Sequence, residues 1–146
     1  MVRAARSATM PPGGPAGISA AWEAQKLGLK YLVIEKGLIG NTIYHYPVGL
    51  TVFSTPNELE FREGDLKPAR EKPTREELLS YYVRFVLEND LNVQTEEEVL
   101  NVEKISDNQF RVTTDKGVYE SKAVLFAIGA MEYPRHLNVP GEDLPK

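Results

Sequence analysis

The stretch from Gly13 to Glu35 constrains the fold most, because it places a glycine turn, a helix, a buried strand and an acid in that order. GGPAG can open a helix, since Pro15 is tolerated at a first helical position, and AGISAAWEAQKLGL continues it until Gly28. The apolar run YLVIE then predicts a strand of a parallel sheet that is covered on both faces. This order is half of a βαβ unit, so we predict an α/β fold.

The glycine turn follows the pattern G-x-G-x-x-G, in which the aligned positions are Pro12, Gly14 and Gly17. In such turns the backbone approaches a pyrophosphate, whose charge lies at the N-terminus of the following helix. Glu35 lies close to the spacing of about 20 residues at which an acid binds a ribose hydroxyl. The combination predicts a dinucleotide site, while GGPAG alone also fits a turn that only starts a helix.

The residues before the turn differ from the short central strand that such a motif requires. RSATMPP has low strand propensity, and its two prolines cannot donate to a strand ladder. We therefore expect the first strand to be missing and residues 1–12 to be a disordered or misread leader. Their arginines and their lack of acids leave a cleaved targeting peptide as an alternative.

The remainder of the chain divides into an irregular segment, one helix and a series of short strands. Residues 36–73 lack clear periodicity, which favours a binding loop. PTREELLSYYVRFVLENDL predicts a helix, with a capping box at Thr74 and Glu77. EVLNVEKI, QFRVTT and GVYESK predict a three-stranded β-meander. AVLFAIG predicts a second buried strand, from Ala123 to Gly129.

The composition argues against several kinds of site. The net charge is -4 and the Lys and Arg residues are scattered, which gives no electrostatic footprint for nucleic acid. No apolar run approaches the roughly 18 residues of a transmembrane helix, so we expect a soluble, cytoplasmic protein without a membrane partner. The chain has no cysteine, and its two histidines, His45 and His136, are far apart. We therefore expect neither a metal site nor redox-active thiols.

Four segments carry a resemblance to a known family: GGPAGISAAWEAQKLGLKYLVIEKG, NTIYHYPVGLTVFSTPNELEF, AVLFAIG and NVPGEDLPK. The chain resembles the N-terminal part of two-dinucleotide-binding flavoproteins, and most closely the bacillithiol-disulfide-reductase-like group related to thioredoxin reductases. The resemblance implies a Rossmann-like, GR2-type FAD-binding domain fragment over residues 13–146. It also implies that the family's NADPH-binding domain and C-terminal FAD segment are absent from this chain.

The resemblance implies roles for residues at the matching positions. In the family, the glycine motif binds the FAD pyrophosphate, the acid after the second strand binds the ribose, and an Asn-Thr/Ser loop approaches the flavin. A valine that begins the meander contacts the adenine, and an Ala-Thr-Gly tip passes close to the cofactor. Carried over in that order, the implied cofactor-binding residues are Gly13, Gly14 and Ala16; Glu35 and Lys36; Asn41 and Thr42; Val99; and Ala127 and Gly129.

Two departures from the family pattern bear on activity. Ile128 replaces the threonine of the Ala-Thr-Gly tip, and Ala16 stands where Gram-positive bacillithiol reductases place a cysteine. We identify no catalytic acid, base or nucleophile in the chain. The resemblance implies an FAD-dependent NAD(P)H oxidoreductase, pyridine nucleotide-disulfide reductase-like, of which this chain carries only FAD contacts; homo-oligomer formation is left open. The alternatives are an inactive nucleotide-binding or interaction module, and NAD instead of FAD in the glycine turn.

Overall fold

The computed structural model describes residues 3–4, 8–10, 13–129 and 139–141. In chain order, the elements are β1 (Arg3–Ala4), β2 (Ala8–Met10), α1 (Pro15–Lys26), β3 (Tyr31–Ile34), α2 (Asn41–Tyr44), α3 (Pro56–Leu59), α4 (Arg75–Glu88), β4 (Val93–Gln94), β5 (Val99–Ser106), β6 (Gln109–Thr114), β7 (Val118–Ser121) and β8 (Ala123–Val124). The described strands form a parallel sheet, β4-β3-β2-β8, and a second sheet, β1-β7-β6-β5. This is the α/β class that the sequence predicts.

β2 occupies the centre of the parallel sheet, between β3 and β8. Ala8 pairs with Tyr31 on one side and with Ala123 on the other. This corrects one detail of the predicted fold, because the first strand is not missing. Two neighbouring ladders fix the backbone of a strand whose own residues have low propensity, and the prolines follow Met10 and remove no donor from it. The boundary at residue 13 between a leader and a domain stays a prediction.

The core lies between α1, α4 and β3. Ile18 and Ala21 of α1 and Val33 of β3 are fully buried. The ring of Trp22 meets that of Phe85 edge-on, with centroids 5.2 Å apart. The apolar face predicted for α4 is confirmed, since its four members are buried: Leu78, Tyr82, Phe85 and Val86. The two long helices therefore pack directly on each other, which fixes where the N-terminus of α1 lies.

The predicted capping box of α4 is confirmed. Thr74 N–H donates to Glu77 Oε2 at 2.8 Å, and Glu77 N–H donates to Thr74 Oγ1 at 3.3 Å. Each side chain thus accepts from the backbone of the other, which satisfies two donors that the helix itself leaves unpaired. The N-terminus of α4 is closed by its own residues.

The predicted β-meander is also confirmed. β5 pairs with β6 and β6 pairs with β7, and both pairs are antiparallel. The segment before the meander pairs elsewhere, because β4 lies parallel to β3 with Val33 opposite Val93. The chain therefore leaves the parallel sheet beside the end of β3 and begins the meander there.

The strand predicted from Ala123 to Gly129 is much shorter in the structure. Only Ala123 and Val124 pair, and they pair with β2 alone. Phe126 is 60% exposed, so this part of the prediction of a buried strand is wrong. The physical reason is that the described ladder between β2 and β8 ends at the pair Thr9–Val124, and no described strand lies on the other side of β8. An apolar run stays extended in a sheet only where a neighbouring backbone continues the ladder.

Candidate functional site

The side chain of Glu35 turns back into the glycine turn. Its Oε2 accepts a hydrogen bond from Gly13 N–H at 2.5 Å, and its Oε1 accepts one from Gly37 N–H at 2.7 Å. The residue is only 3% exposed. Because hydrogen bonds to an ionised acceptor are stronger than neutral ones, the carboxylate ties the end of β3 to the turn. The structure thus brings together the acid and the turn that the sequence analysis paired.

The N-terminus of α1 is open, unlike that of α4. Gly14 is the N-cap, in extended backbone with φ -80° and ψ 177°, and it offers no side chain to cap the first turn. Pro15 is the first helical residue, and Ala16 after it is exposed. A Cβ placed on Gly14 would meet no described atom within 4 Å. Uncapped N–H groups beside open space are the arrangement in which a helix N-terminus binds an anion.

The loop after β3 folds against the same turn. Gly40 N–H donates to Gly13 O at 2.8 Å. Gly40 has a left-handed φ of 69°, and a Cβ there would lie 2.9 Å from Leu79 Cδ1. Glycine is therefore the residue that fits this position. Since α2 begins immediately afterwards, its first residue, Asn41, is located beside the glycine turn.

Asn41 lies against Gly37. A Cβ on Gly37 would lie 2.5 Å from Asn41 Cγ, so the asparagine side chain occupies the space that a larger residue at position 37 would need. Asn41 is half-buried, and Thr42 beside it is exposed. Because Gly37 also donates to Glu35, the asparagine, this glycine and the acid form one contiguous group next to Gly13.

Lys36 and Val99 lie close to this group along the chain. Lys36 is exposed and directly follows Glu35. Val99 begins β5, two residues after Glu97, whose N–H donates to Glu35 O at 3.0 Å. Glu96 N–H donates to Gly37 O, also at 3.0 Å. The start of the meander is therefore joined by its backbone to the residues that hold the glycine turn.

Ala127 and Gly129 follow the short strand β8. β8 runs parallel to β2, and the glycine turn follows β2. The carboxyl ends of parallel strands meet at one edge of a sheet, which is where ligands of open α/β sheets bind. The two residues therefore leave the sheet at the edge occupied by the glycine turn, with Ala127 half-buried and Gly129 exposed.

Glu97 is a buried acid that the sequence analysis missed. It is 1% exposed, and its Oε1 accepts from Thr114 Oγ1 at 2.6 Å. The same hydroxyl oxygen accepts from Gly117 N–H at 2.9 Å. Glu97 stands in the run TEEEV, which is typical of a solvent-facing segment. The one available signal is its spacing of two from Val99, which places both side chains on one face of an extended backbone.

Metal clusters and membrane-spanning helices are both absent from the part of the chain that the structure describes. No cluster of three or more His, Cys, Asp or Glu side chains is arranged to hold a metal ion there. Among the same residues, no helix combines the length and the apolar character that a membrane span requires.

Known proteins match this chain in sequence and in structure. The family model for pyridine nucleotide-disulphide oxidoreductases matches residues 12–146. The bacilliredoxin reductase Bdr of Bacillus subtilis is 40% identical over 134 residues, which is 92% of this chain. The structure of the bacillithiol disulfide reductase Bdr (YpdA) from Staphylococcus aureus covers 98% of this chain with 38% identity and a TM-score of 0.88. A complex of OTEMO with FAD and NADP covers 95% of it, with 21% identity and a TM-score of 0.81, and so shares the fold.

The similarity extends over only part of each relative. The chain spans 41% of the Bacillus subtilis protein, 44% of the Staphylococcus aureus chain and 28% of the OTEMO chain. Within that part, the resemblance to the N-terminal region of bacillithiol-disulfide-reductase-like flavoproteins is confirmed. Because more than half of each relative lies outside the matched region, the activity of the longer relatives does not follow from the match alone.

Proposed function

The chain belongs to the family of pyridine nucleotide-disulphide oxidoreductases, and we propose that residues 13–146 supply FAD contacts to an FAD-dependent NAD(P)H oxidoreductase. The observation that carries this proposal is the Glu35 carboxylate, held 2.5 Å from Gly13 N–H beside the open N-terminus of α1. Support for the cofactor comes from the fold, which this chain shares with a protein solved with FAD and NADP. When bound, FAD would supply hydride and electron transfer, and the protein would supply binding and orientation.

The residues of the turn fit a diphosphate. The first turn of α1 carries no acidic side chain, and its N-cap leaves open space beside the backbone. We assign the diphosphate to Gly13, Gly14 and Ala16, where a negative charge would be stabilised by the N-terminal end of the helix. A side chain at position 14 would fill this space.

Glu35 fits the sugar next to the diphosphate. Each of its carboxylate oxygens accepts one described backbone hydrogen bond. A carboxylate at the end of the second strand is the group that binds ribose hydroxyls in dinucleotide sites, and Glu35 stands at that place beside the glycine turn. The exposed Lys36 would lie beside the same sugar.

The other assignments follow the sheet edge. We propose that Asn41 and Thr42 face the flavin ring, that Val99 contacts the adenine, and that Ala127 and Gly129 pass close to the cofactor. Asn41 is supported by its packing against Gly37, one residue beyond Glu35-Lys36. The assignments for Ala127 and Gly129 are supported by the sheet edge at which β8 and the glycine turn meet. The assignment for Val99 is supported by the backbone hydrogen bonds that join Glu96 and Glu97, just before β5, to Gly37 and Glu35.

The reaction of the whole protein is proposed only by class. The family description names a pyridine nucleotide, so we propose NADPH as the electron donor. The relatives are named as reductases of bacilliredoxin and of bacillithiol disulfide, and we leave the acceptor undefined. Ala16 has no thiol, so that residue cannot take part in thiol exchange. We further propose a cytoplasmic location, as the sequence analysis expects, and homo-oligomer formation stays open.

FAD titration of the full chain tests the proposal. The purified protein should be yellow, or should bind added FAD with quenching of flavin fluorescence. Gly14→Ala should raise the Kd for FAD by about tenfold or more, because the methyl group would displace a charge-assisted hydrogen bond. Gly117→Ala is the matched control, since its Cβ also meets no described atom within 4 Å but lies in the meander.

Three outcomes would overturn the proposal. The first is a colourless protein without affinity for FAD, which would favour an inactive module. The second is tighter binding of NAD than of FAD, measured by saturation-transfer NMR. The third is an equal loss of affinity in the Gly14→Ala and Gly117→Ala variants, which would place the site elsewhere.

A further inference from the structure

α2 is the element that carries Asn41 and Thr42, and it is too short to be stable alone. It has four residues, and its N-cap Gly40 has no side chain. Isolated helices of this length do not form in water, because nucleation costs more than the few hydrogen bonds return. The orientation of Asn41 and Thr42 therefore depends on contacts made by other parts of the chain.

The two ends of α2 are held by different segments. At the N-terminal end, Gly40 N–H donates to Gly13 O at 2.8 Å, which joins α2 to the glycine turn. At the C-terminal end, Arg75 Nε donates to Ile43 O at 3.2 Å, and Arg75 Nη2 donates to Tyr44 O. The guanidinium carbon also lies 5.4 Å from the centroid of the Tyr44 ring. One side chain thus donates to two carbonyls at the C-terminal end of α2, and Ile43 O also accepts from Tyr46 N–H at 3.1 Å.

Glu76 connects Arg75 to the loop that follows α2. Its Oε1 accepts from Arg75 Nη1 at 2.9 Å and from Gly49 N–H at 3.2 Å. These two hydrogen bonds, that from Arg75 first, hold the pKa of Glu76 below its usual range. The backbone adds a further link, since Arg75 N–H donates to Leu50 O at 2.7 Å. The start of α4 therefore holds both ends of the segment from Ile43 to Leu50.

A surface ion pair with Glu76 alone does not explain the position of Arg75. The arginine side chain is only 13% exposed, whereas that of Glu76 is 45% exposed. Arg75 is also the first residue of α4, where the helix dipole disfavours a positive charge. The C-terminal end of α2, with its partial negative charge, compensates this cost. An arginine is needed because its planar group can serve two carbonyls and a carboxylate at once.

We propose that Arg75 is a positioning residue for the cofactor site: it fixes α2, and through it the orientation of Asn41 and Thr42 toward the glycine turn. Arg75 itself touches neither the turn nor Glu35 in the described contacts. The inference rests on the proposed function for the identity of the ligand. The fixation of α2 can be measured without any ligand.

Hydrogen exchange of the FAD-free full chain gives the first test. Arg75→Ala should speed amide exchange in peptides covering residues 41–50 by roughly tenfold or more, as expected for the loss of two charge-assisted hydrogen bonds. Arg75→Lys keeps the charge but not the planar group, so it should restore only a small part of the protection. Arg84→Ala is the matched control, because Arg84 lies on the same helix, 56% exposed, and pairs with Glu88 at 3.7 Å.

The absorption spectrum of bound flavin gives the second test. With FAD at saturation, Arg75→Ala and Arg75→Lys should both shift the visible band or change the fluorescence quenching, whereas Arg84→Ala should reproduce the wild-type spectrum. A general loss of stability would lower the fraction of protein that binds without changing the spectrum of the flavin that is bound. The spectrum therefore separates positioning from folding.

The outcomes distinguish the two proposals. Unchanged exchange at residues 41–50 in both Arg75 variants would overturn the inference, whatever the ligand. Faster exchange with an unaltered flavin spectrum would overturn the link from α2 to the cofactor. A wild-type chain that binds no FAD but loses protection in Arg75→Ala would refute the proposed function and leave the fixation of α2 established. If Arg75→Ala does not fold, Arg75→Lys decides the matter.

Discussion

The N-termini of α1 and α4 differ in how their first backbone N–H groups are satisfied. Both helices begin with backbone N–H groups that have no partner within the helix. At α4, Thr74 and Glu77 close the end with reciprocal hydrogen bonds. At α1, Gly14 provides no side chain, and no described atom lies within 4 Å of a Cβ placed there. The N-terminus of α4 is therefore stabilised by its own residues, whereas that of α1 has the arrangement to which we assign the diphosphate.

Substitution of Glu35, the acid beside the N-terminus of α1, should have the largest effect on stability. Glu35→Ala removes the acceptor of two N–H groups, those of Gly13 and Gly37, in a buried place. We expect the free energy of unfolding to fall by about 2–4 kcal/mol, measured by urea denaturation. Glu98→Ala, which removes an exposed acid from a nearby segment, should change little. Equal stability of these two variants would mean that the open end needs no support from Glu35.

Removing the cap at the N-terminus of α4 should have a smaller effect on stability. Thr74→Ala removes one half of the capping box of α4, and we expect a loss of about 1 kcal/mol in the free energy of unfolding. Thr51→Ala is the control, because it deletes the same atoms from an exposed residue that caps no helix and that has no proposed role in FAD binding. Thr74→Ala should leave FAD affinity unchanged in the folded fraction. A neutral Thr74→Ala would show that α4 does not depend on its cap.

Adding a capping side chain at the N-terminus of α1 should raise stability slightly and weaken FAD binding. Gly14 already has the extended backbone of an N-cap, so Gly14→Asp can cap the first turn of α1. We expect the FAD-free protein to gain a few tenths of a kcal/mol, measured as a higher thermal midpoint. The added carboxylate should also weaken FAD binding more than Gly14→Ala does, because it repels the diphosphate. A variant that gains stability and keeps wild-type affinity would contradict the diphosphate assignment.

The pH dependence of stability should be the smallest effect, and it arises from Glu77 in the capping box of α4. The N–H of Thr74, then that of Ala69, lower the pKa of Glu77 from its ordinary value of 4.5. Because the folded pKa is the lower one, the stabilisation is present above pH 4.5 and is lost as the pH falls through the folded pKa. The difference in unfolding free energy between wild type and Glu77→Gln should therefore shrink in acid. A difference that is constant between about pH 3 and 6 would contradict this.

The parts of the fold that could be predicted are those that local residues determine. The helix of α4 follows from Thr74, Glu77 and the apolar period behind them. The meeting of Glu35 with the glycine turn follows from spacing, because a βαβ unit returns the second strand to the side of the first. The strands of the meander could be predicted because the alternation of side chains with a period of two is a property of each strand alone.

The parts that could not be predicted depend on distant neighbours. β2 is a strand because β3 and β8 flank it, although its residues have low propensity. β8 is short because it has β2 as its one described neighbour, and their described ladder ends at Thr9–Val124, although AVLFAIG is almost wholly apolar. Arg75 lies in the predicted start of α4, and nothing nearby in the sequence indicates that it reaches the carbonyls of α2. Hydrogen bonds between residues 31 and 32 positions apart produce no local sequence pattern.

Because Asn41 packs closely against Gly37, substitutions at these two positions should be coupled in evolution. A methyl group at position 37 would stand 2.5 Å from Asn41 Cγ, so it can be accepted only together with a smaller or differently turned residue at position 41. Natural variants of this chain should therefore change the two sites jointly, and a population that retains asparagine at one should retain glycine at the other.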